Sequence, residues 1–369
     1  MSKNRFLNLL HNELWNTPLD FNEISIEEYK TITEYASMQT VNSLICSALI
    51  KNNIKIPQQG ALRTFALLEA IKKANQLLNS NVLMLTELLE KHNIRFFIVK
   101  GQTLASLYPN PLYRTPGDID FYCYPEDFER ARLILTDELK INIEYDDEEE
   151  QHLSFQYNKV DFELHFTLFK FADKENQIYF DGLLNSEKLS YAVIDGKAIP
   201  TLNPTLNLAY TFLHLYHHLI ELGVGLRQFC DVAVLCHRNK IAETKGDENN
   251  KIDVDFLIRI LTKLDFLKAF KAIGAVLVDE LGLPENEFPI AITPKDRKYA
   301  EYILKVVYKR GNFGKYGRTT KVRSGIAYYI EQTFIKFSHY HHLFNLSKKE
   351  NIAVITKEIP KKIKAAIKR

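Results

Sequence analysis

The stretch Val99-Lys100-Gly101-Gln102-Thr103-Leu104-Ala105-Ser106-Leu107-Tyr108-Pro109-Asn110-Pro111-Leu112-Tyr113-Arg114-Thr115-Pro116-Gly117-Asp118-Ile119-Asp120-Phe121 decides the reading of the fold. Asp118 and Asp120 are separated by one apolar residue on a segment that reads as a strand. Strand side chains alternate with a period of two, so both carboxylates point to one side. Oxygens placed in this way can grip one hard divalent cation or two neighbouring ones, the geometry used at phosphoryl-transfer sites. Upstream, the apolar run Phe96-Phe97-Ile98-Val99 stops at Lys100-Gly101, which reads as a strand breaking into a turn and a helix. Such a turn lets the backbone approach a phosphate.

Working outward, the pattern predicts strand 95–99, helix 101–107, a proline-rich connection over 109–116, strand 118–124 and a helix near 126–139. Further strands are expected near 152–158, 160–168 and 191–200, the last with a hairpin turn at Asp195-Gly196. Residues 22–92 read as helices: Ser25-Ile26-Glu27-Glu28 has capping-box spacing, and Leu67, Leu68, Ile71, Ala74, Leu77 and Leu78 recur at helical spacing toward Leu89. After Pro204 the helical pattern returns, runs to about Glu221, breaks at Gly223-Val224-Gly225 and continues to about His237. The polar stretch 243–250 reads as a loop, and helices resume over 255–281. The expected class is α+β: a mixed-sheet core over 93–202, an N-terminal helical region 1–92, and a C-terminal helical region 203–369 with a basic tail.

Strand, glycine turn, helix and Asp-x-Asp strand, in that order, resemble the DNA polymerase beta nucleotidyltransferase superfamily. Within it the chain resembles the bacterial family of uncharacterised nucleotidyltransferases. Lys100-Gly101, Leu104-Ala105, Tyr108-Pro109, Arg114, Gly117-Asp118-Ile119-Asp120 and Val160-Asp161-Phe162-Glu163-Leu164-His165-Phe166 carry the resemblance. Leu213-His214-Leu215-Tyr216-His217-His218 and Arg227-Gln228-Phe229-Cys230-Asp231 extend it, so that it spans roughly residues 80 to 240 with a weaker echo to about 320. The wider superfamily places Gly-Ser or Gly-Gly at the turn. Lys100 departs from that and would set a full positive charge against phosphates.

The resemblance implies a nucleotidyltransferase-type core and transfer of a nucleoside monophosphate from a nucleoside triphosphate to an unknown acceptor, with release of pyrophosphate. Mg²⁺ or Mn²⁺ is the implied cofactor. Asp118 and Asp120 are its expected ligands, and a third carboxylate on an adjacent strand completes such a site and activates the acceptor. Asp161 and Glu163 both qualify and share a strand face with His165. The family pattern favours Glu163, with Asp161 behind it. Lys100, Gly101 and Arg114 are the expected nucleotide-binding residues, although Arg114 could equally brace the carboxylates. His165 could position a substrate or a carboxylate, or be a hydrogen-bonded core histidine.

His214 and His218 are four apart on a helix, as are Arg227 and Asp231. These four are the candidates for a polar wall that recognises the acceptor; as a zinc site the histidines lack a third ligand. The competing reading is a catalytically silent nucleotide-binding or regulatory protein on the same fold, suggested by the altered turn.

Composition narrows the partners. At 369 residues with 46% hydrophobic and 25% charged content, the chain can bury a sizeable core. Cys46, Cys123, Cys230 and Cys236 show no metal-site or framework spacing, which fits a reducing cytoplasm. No cleavable signal or membrane-spanning run is visible. The net charge of +2 hides an asymmetry: residues 301–369 carry 16 Lys/Arg against 4 Asp/Glu, or +12, which leaves about −10 for the rest. The basic end could meet phosphate, nucleic acid or an anionic membrane surface, or simply be a solvated face. No recognised nucleic-acid module accompanies it, so no specific nucleic-acid partner is expected. The acidic run at 144–150 reads as a solvated loop, and Gly311-Asn312-Phe313-Gly314-Lys315-Tyr316-Gly317-Arg318 as a helix connection or a flap over a nucleotide.

Overall fold

The computed structural model describes residues 2–143, 151–221, 223–247 and 250–316, together with 331, 335, 337–339 and 341–358. The acidic run at 144–150, Gly317, Arg318 and the last eleven residues of the basic end lie outside the described residues. The fold is α+β, helix-rich with a small mixed sheet. The chain divides into two compact units: Met1–Leu168, Glu187–Asn207 and His237–Lys251 form one, and Phe169–Ser186, Leu208–Cys236 and Ile252–Arg369 the other.

The first unit begins with α1 (Ser2–Trp15), α2 (Ile26–Met38), α3 (Asn42–Lys51) and α4 (Gln58–Lys91). The capping box forms as its spacing predicts: the Glu28 N–H donates to Ser25 Oγ at 3.2 Å and the Ser25 N–H to Glu28 Oε2 at 3.0 Å. α4 runs 34 residues, about 50 Å. Leu78, Val82, Leu85 and Leu89 on its second half, spaced three and four apart, pack into the core of the sheet. The periodicity read from Leu67 is only partly used, since Leu68 and Leu78 are buried but Leu67 is exposed.

The sheet joins β1 (Phe96–Val99), β2 (Ile119–Cys123), β3 (His152–Tyr157) and β4 (Val160–His165) in the order β1-β2-β4-β3. β2 and β4 are parallel, and the outer pairs are antiparallel. The crossover from β2 begins with α6 (Pro125–Leu139), after the short α5 (Gly101–Ala105). Helix α5 ends two residues before the expected 107, with Leu107 and Tyr108 closing onto Leu104 and Ala105 in a turn.

The period-two pattern sorts the faces. Phe96, Ile98, Ile119, Phe121, Cys123, Leu153, Phe155, Val160, Phe162 and Leu164 enter one core with α4 and α6. Asp120, Glu163, His165 and His152 take the opposite parity and so share the other face. A hairpin of β5 (Ser190–Ile194) and β6 (Lys197–Thr201) turns at Asp195 and Gly196, both at positive φ (46° and 84°), as a type I′ turn requires.

The second unit is helical. It takes α7 (Lys174–Ser186), residues 208–221 of α8 (Pro204–Glu221), residues 226–236 of α9 (Leu226–Lys245), α10 (Val254–Lys263), α11 (Leu267–Asp279) and α12 (Pro294–Arg310). Phe212 meets Phe270 edge to face at 5.1 Å, and Phe270 stacks on Phe288 at 5.0 Å. Gly274 permits this, because a Cβ there would come within 2.2 Å of the Phe288 ring.

One sequence expectation is corrected: α9 runs on to Lys245 into the stretch read as a loop. α7 was not foreseen, and the helices expected over 255–281 divide at Asp265, where φ is 65°. At the described part of the glycine-rich stretch, Gly311 caps α12 and Asn312–Gly314 form one 3₁₀ turn. Among the described residues no helix is long and apolar enough to cross a membrane.

Candidate functional site

The carboxylates meet at the end of the sheet where β1 breaks into α5. The parallel register sets Asp120 directly opposite Glu163, while Val99, the last residue of β1, pairs with Asp120 on its other side. One oxygen each from Asp118, Asp120 and Glu163 lies within 4.8 Å of the other two. Asp161, on the same face of β4, is not part of this group; it is exposed, and its Oδ1 accepts from Gln156 Nε2 at 2.9 Å.

Asp120 is the buried centre. Its Oδ1 receives Lys100 Nζ at 2.7 Å and His165 Nε2 at 2.9 Å. Burial opposes its ionisation, but the Lys100 charge and the His165 hydrogen bond outweigh burial and hold it well below the usual carboxylate range. For His165, burial opposes protonation, and hydrogen bonds to Asp120 and Glu163 overcome it and raise the imidazole. Asp118 sits at the mouth, open to solvent by surface area yet crowded by protein on its inner side. That crowding raises its pKa, the Asp120 charge raises it further, Glu163 adds to the effect, and Lys100 opposes it.

Lys100 reaches Asp120 from an unusual backbone, φ 54° and ψ −141°, and Gly101 follows at φ 38°. Side chains other than hydrogen rarely adopt such a conformation. A Cβ at Gly101 would stand 3.3 Å from the Asp118 carbonyl, so the turn and the Asp-x-Asp strand fit against each other through a missing side chain. The turn is tied down by Thr103 Oγ1 and the Leu104 N–H, both donating to the Lys100 carbonyl. Arg114 is buried, and its carbonyl accepts from Asn75 Nδ2 at 2.9 Å.

The structure thus brings together Asp118, Asp120, Glu163, Lys100 and His165. His152, which the sequence reading did not single out, joins them: its Nε2 lies 3.6 Å from Glu163 Oε1. Only the antiparallel register of β3 on β4, which pairs His152 with His165, reveals it. His214, His218, Arg227 and Asp231 belong to the second unit. There His214 and His218 face each other with Nε2 atoms 3.1 Å apart, His218 packs against Phe313, and Asp231 is buried on α9.

A family model described as "Uncharacterised nucleotidyltransferase" matches residues 27–277, a span that starts earlier than the resemblance read from motifs and ends within its weaker echo beyond residue 240. Among solved structures, an antigenic nucleotidyltransferase-like protein from Paracoccidioides brasiliensis is similar at 15% identity and a TM-score of 0.33. The similarity covers 50% of this chain and 97% of that one. Comparison with curated proteins gives no match.

Proposed function

We propose, from the premise that this chain belongs to the uncharacterised nucleotidyltransferase family, that it moves a nucleoside monophosphate from a nucleoside triphosphate to an acceptor and releases pyrophosphate. The observation that carries the reading is the parallel register that sets Asp120 beside Glu163 with Asp118 at the mouth. Three carboxylate oxygens gathered within 4.8 Å, one of them on a carboxyl raised by burial and then by its acidic neighbours, are a donor set in want of positive charge. All-oxygen donors suit Mg²⁺ or Mn²⁺, so Asp118, Asp120 and Glu163 would hold the ion. When bound, such an ion polarises phosphoryl oxygens and offsets the charge of a departing pyrophosphate.

The chain's own groups do the rest. Asp120, kept ionised, anchors the cluster. His165 fixes Asp120 and Glu163 in orientation through its two contacts. Lys100, at the lip of the glycine turn, supplies a point charge for the triphosphate. The burial of Arg114 argues against its meeting a nucleotide from solvent.

A second reading is a nucleotide-binding protein without transfer chemistry. It rests on Lys100, whose ammonium already neutralises one carboxylate of the cluster. One experiment separates the two: pyrophosphate release from each NTP with Mg²⁺, with a small-molecule extract as the source of acceptor, for the native chain and Asp120→Asn. Release that disappears in Asp120→Asn supports transfer; NTP binding with no release from the native chain supports the silent protein.

A further inference from the structure

Across β4 toward β3, on the same sheet face, stands a second set of ligand atoms. His152 Nε2 is 3.6 Å from Glu163 Oε1, and His165 Nε2 is 3.3 Å from Glu163 Oε2. The two imidazoles are register partners with ring centroids 4.9 Å apart. One ligand atom from each of His152, Glu163 and His165 lies within 4.8 Å of the other two. A tetrahedral ion with bonds of 2.0–2.2 Å holds its ligand atoms about 3.4 Å apart, and each imidazole already lies near that distance from one Glu163 oxygen, His152 from Oε1 and His165 from Oε2.

The donors also differ in kind from those of the carboxylate cluster. Two imidazoles and a carboxylate select Zn²⁺ and its transition-metal neighbours, whereas three carboxylates select Mg²⁺. His165 presents its Nε2 to the site; the same nitrogen lies 2.9 Å from Asp120 Oδ1, so an ion held here competes with Asp120 for it.

We propose that His152, Glu163 and His165 form a transition-metal site that is separate from the Asp118/Asp120/Glu163 cluster and shares Glu163 with it. The site takes Zn²⁺ or Co²⁺ in preference to Mg²⁺. An ion there holds Glu163 on the histidine side, so Zn²⁺ and Mg²⁺ compete for one carboxylate.

The test is a Co²⁺ titration of the chelator-stripped full chain, followed by visible absorption, with Zn²⁺ and Mg²⁺ as competitors. The native chain should bind one equivalent with a tetrahedral spectrum that Zn²⁺ erases and excess Mg²⁺ does not. His152→Ala should weaken binding by roughly tenfold or more, since even partners outside the ligand set change metal affinity by about 10–100-fold. Asp118→Asn should bind Co²⁺ as tightly as the native chain. His152 is partly exposed at the start of β3, so its replacement spares the core, and His152→Gln serves if the alanine variant is poorly folded. No saturable Co²⁺ binding, unchanged affinity in the folded His152 variant, or displacement by Mg²⁺ at comparable concentration would each overturn the site. The readout is binding, so absence of pyrophosphate release would sink the transfer reading and leave this one standing.

Discussion

The Lys100 ammonium lies 2.7 Å from Asp120 Oδ1, and it gets there from a backbone conformation, φ 54° and ψ −141°, normally left to glycine. Strain of that kind costs on the order of 1–3 kcal/mol. Here it is tolerated at a residue whose charge the neighbouring carboxylates require, and the pairing shapes the expected behaviour of each site residue.

Replacing Lys100 tests charge and strain together. Lys100→Ala keeps the strained turn and loses the charge, whereas Lys100→Gly loses both. NTP affinity measured by calorimetry should fall in both variants by about 1.5–3 kcal/mol, the range for hydrogen bonds to charged groups. The glycine variant should melt higher than the alanine variant, by an amount on the order of 1 kcal/mol. Unchanged NTP binding would return Lys100 to a purely structural role.

Asp118→Asn and Asp120→Asn should both lower pyrophosphate release by at least about a hundredfold, roughly 2.7 kcal/mol of transition-state stabilisation. Their stabilities should diverge. Burial, and then the Asp120 and Glu163 charges, disfavour the ionised Asp118 despite Lys100, so its neutral variant should be as stable as the native chain or more so. Asp120 is buried against the Lys100 ammonium and the His165 imidazole. Its neutral variant strands them, at a cost on the order of 3 kcal/mol. Thermal melts in chelator resolve the difference.

Glu163→Gln should match the loss seen at Asp118, while Asp161→Asn should stay within a few-fold of native turnover. Glu163 belongs to the carboxylate group, and Asp161 is exposed and bonded to Gln156. A more severe loss at Asp161 in saturating Mg²⁺ would reverse the assignment.

In chelator, stability should depend on pH through His165 and Asp120. The raised His165 contributes stability that is complete below its unfolded value, about 6.5, and fades as pH rises through its higher folded value. The depressed Asp120 contributes stability that is complete above about 3.9 and fades as pH falls through its lower folded value. Urea midpoints should therefore decline above neutrality in the native chain, and His165→Gln should remove that decline. An identical slope in the variant would place the titrating group elsewhere.

Much of this was legible in the sequence, for identifiable reasons. Alternation alone put Asp118 and Asp120 on one side of their strand and Asp161, Glu163 and His165 together on one side of theirs. The choice between Asp161 and Glu163 needed the register that pairs Asp120 with Glu163, which periodicity does not carry. His152 was illegible for the same reason, since its role depends on which β3 residue meets His165. Helix α7 escaped notice because its buried positions, Asn176, Phe180 and Leu184, are few, and one of them is polar. The break at Asp265 falls where neither glycine nor proline marks it.

The pairing of β2 with β4 also bears on how the molecule is assembled. Those strands are parallel neighbours separated in the chain by α6 and β3, so their contact is non-local and its loop closure precedes any gain from pairing. Docking β4 is also the event that carries Glu163 toward two carboxylates already adjacent in sequence. The nascent sheet therefore meets its strongest electrostatic opposition at the step that completes the site. Refolding of this chain should accelerate with ionic strength and with divalent cations, which shield the approaching carboxylates before the native contacts have formed.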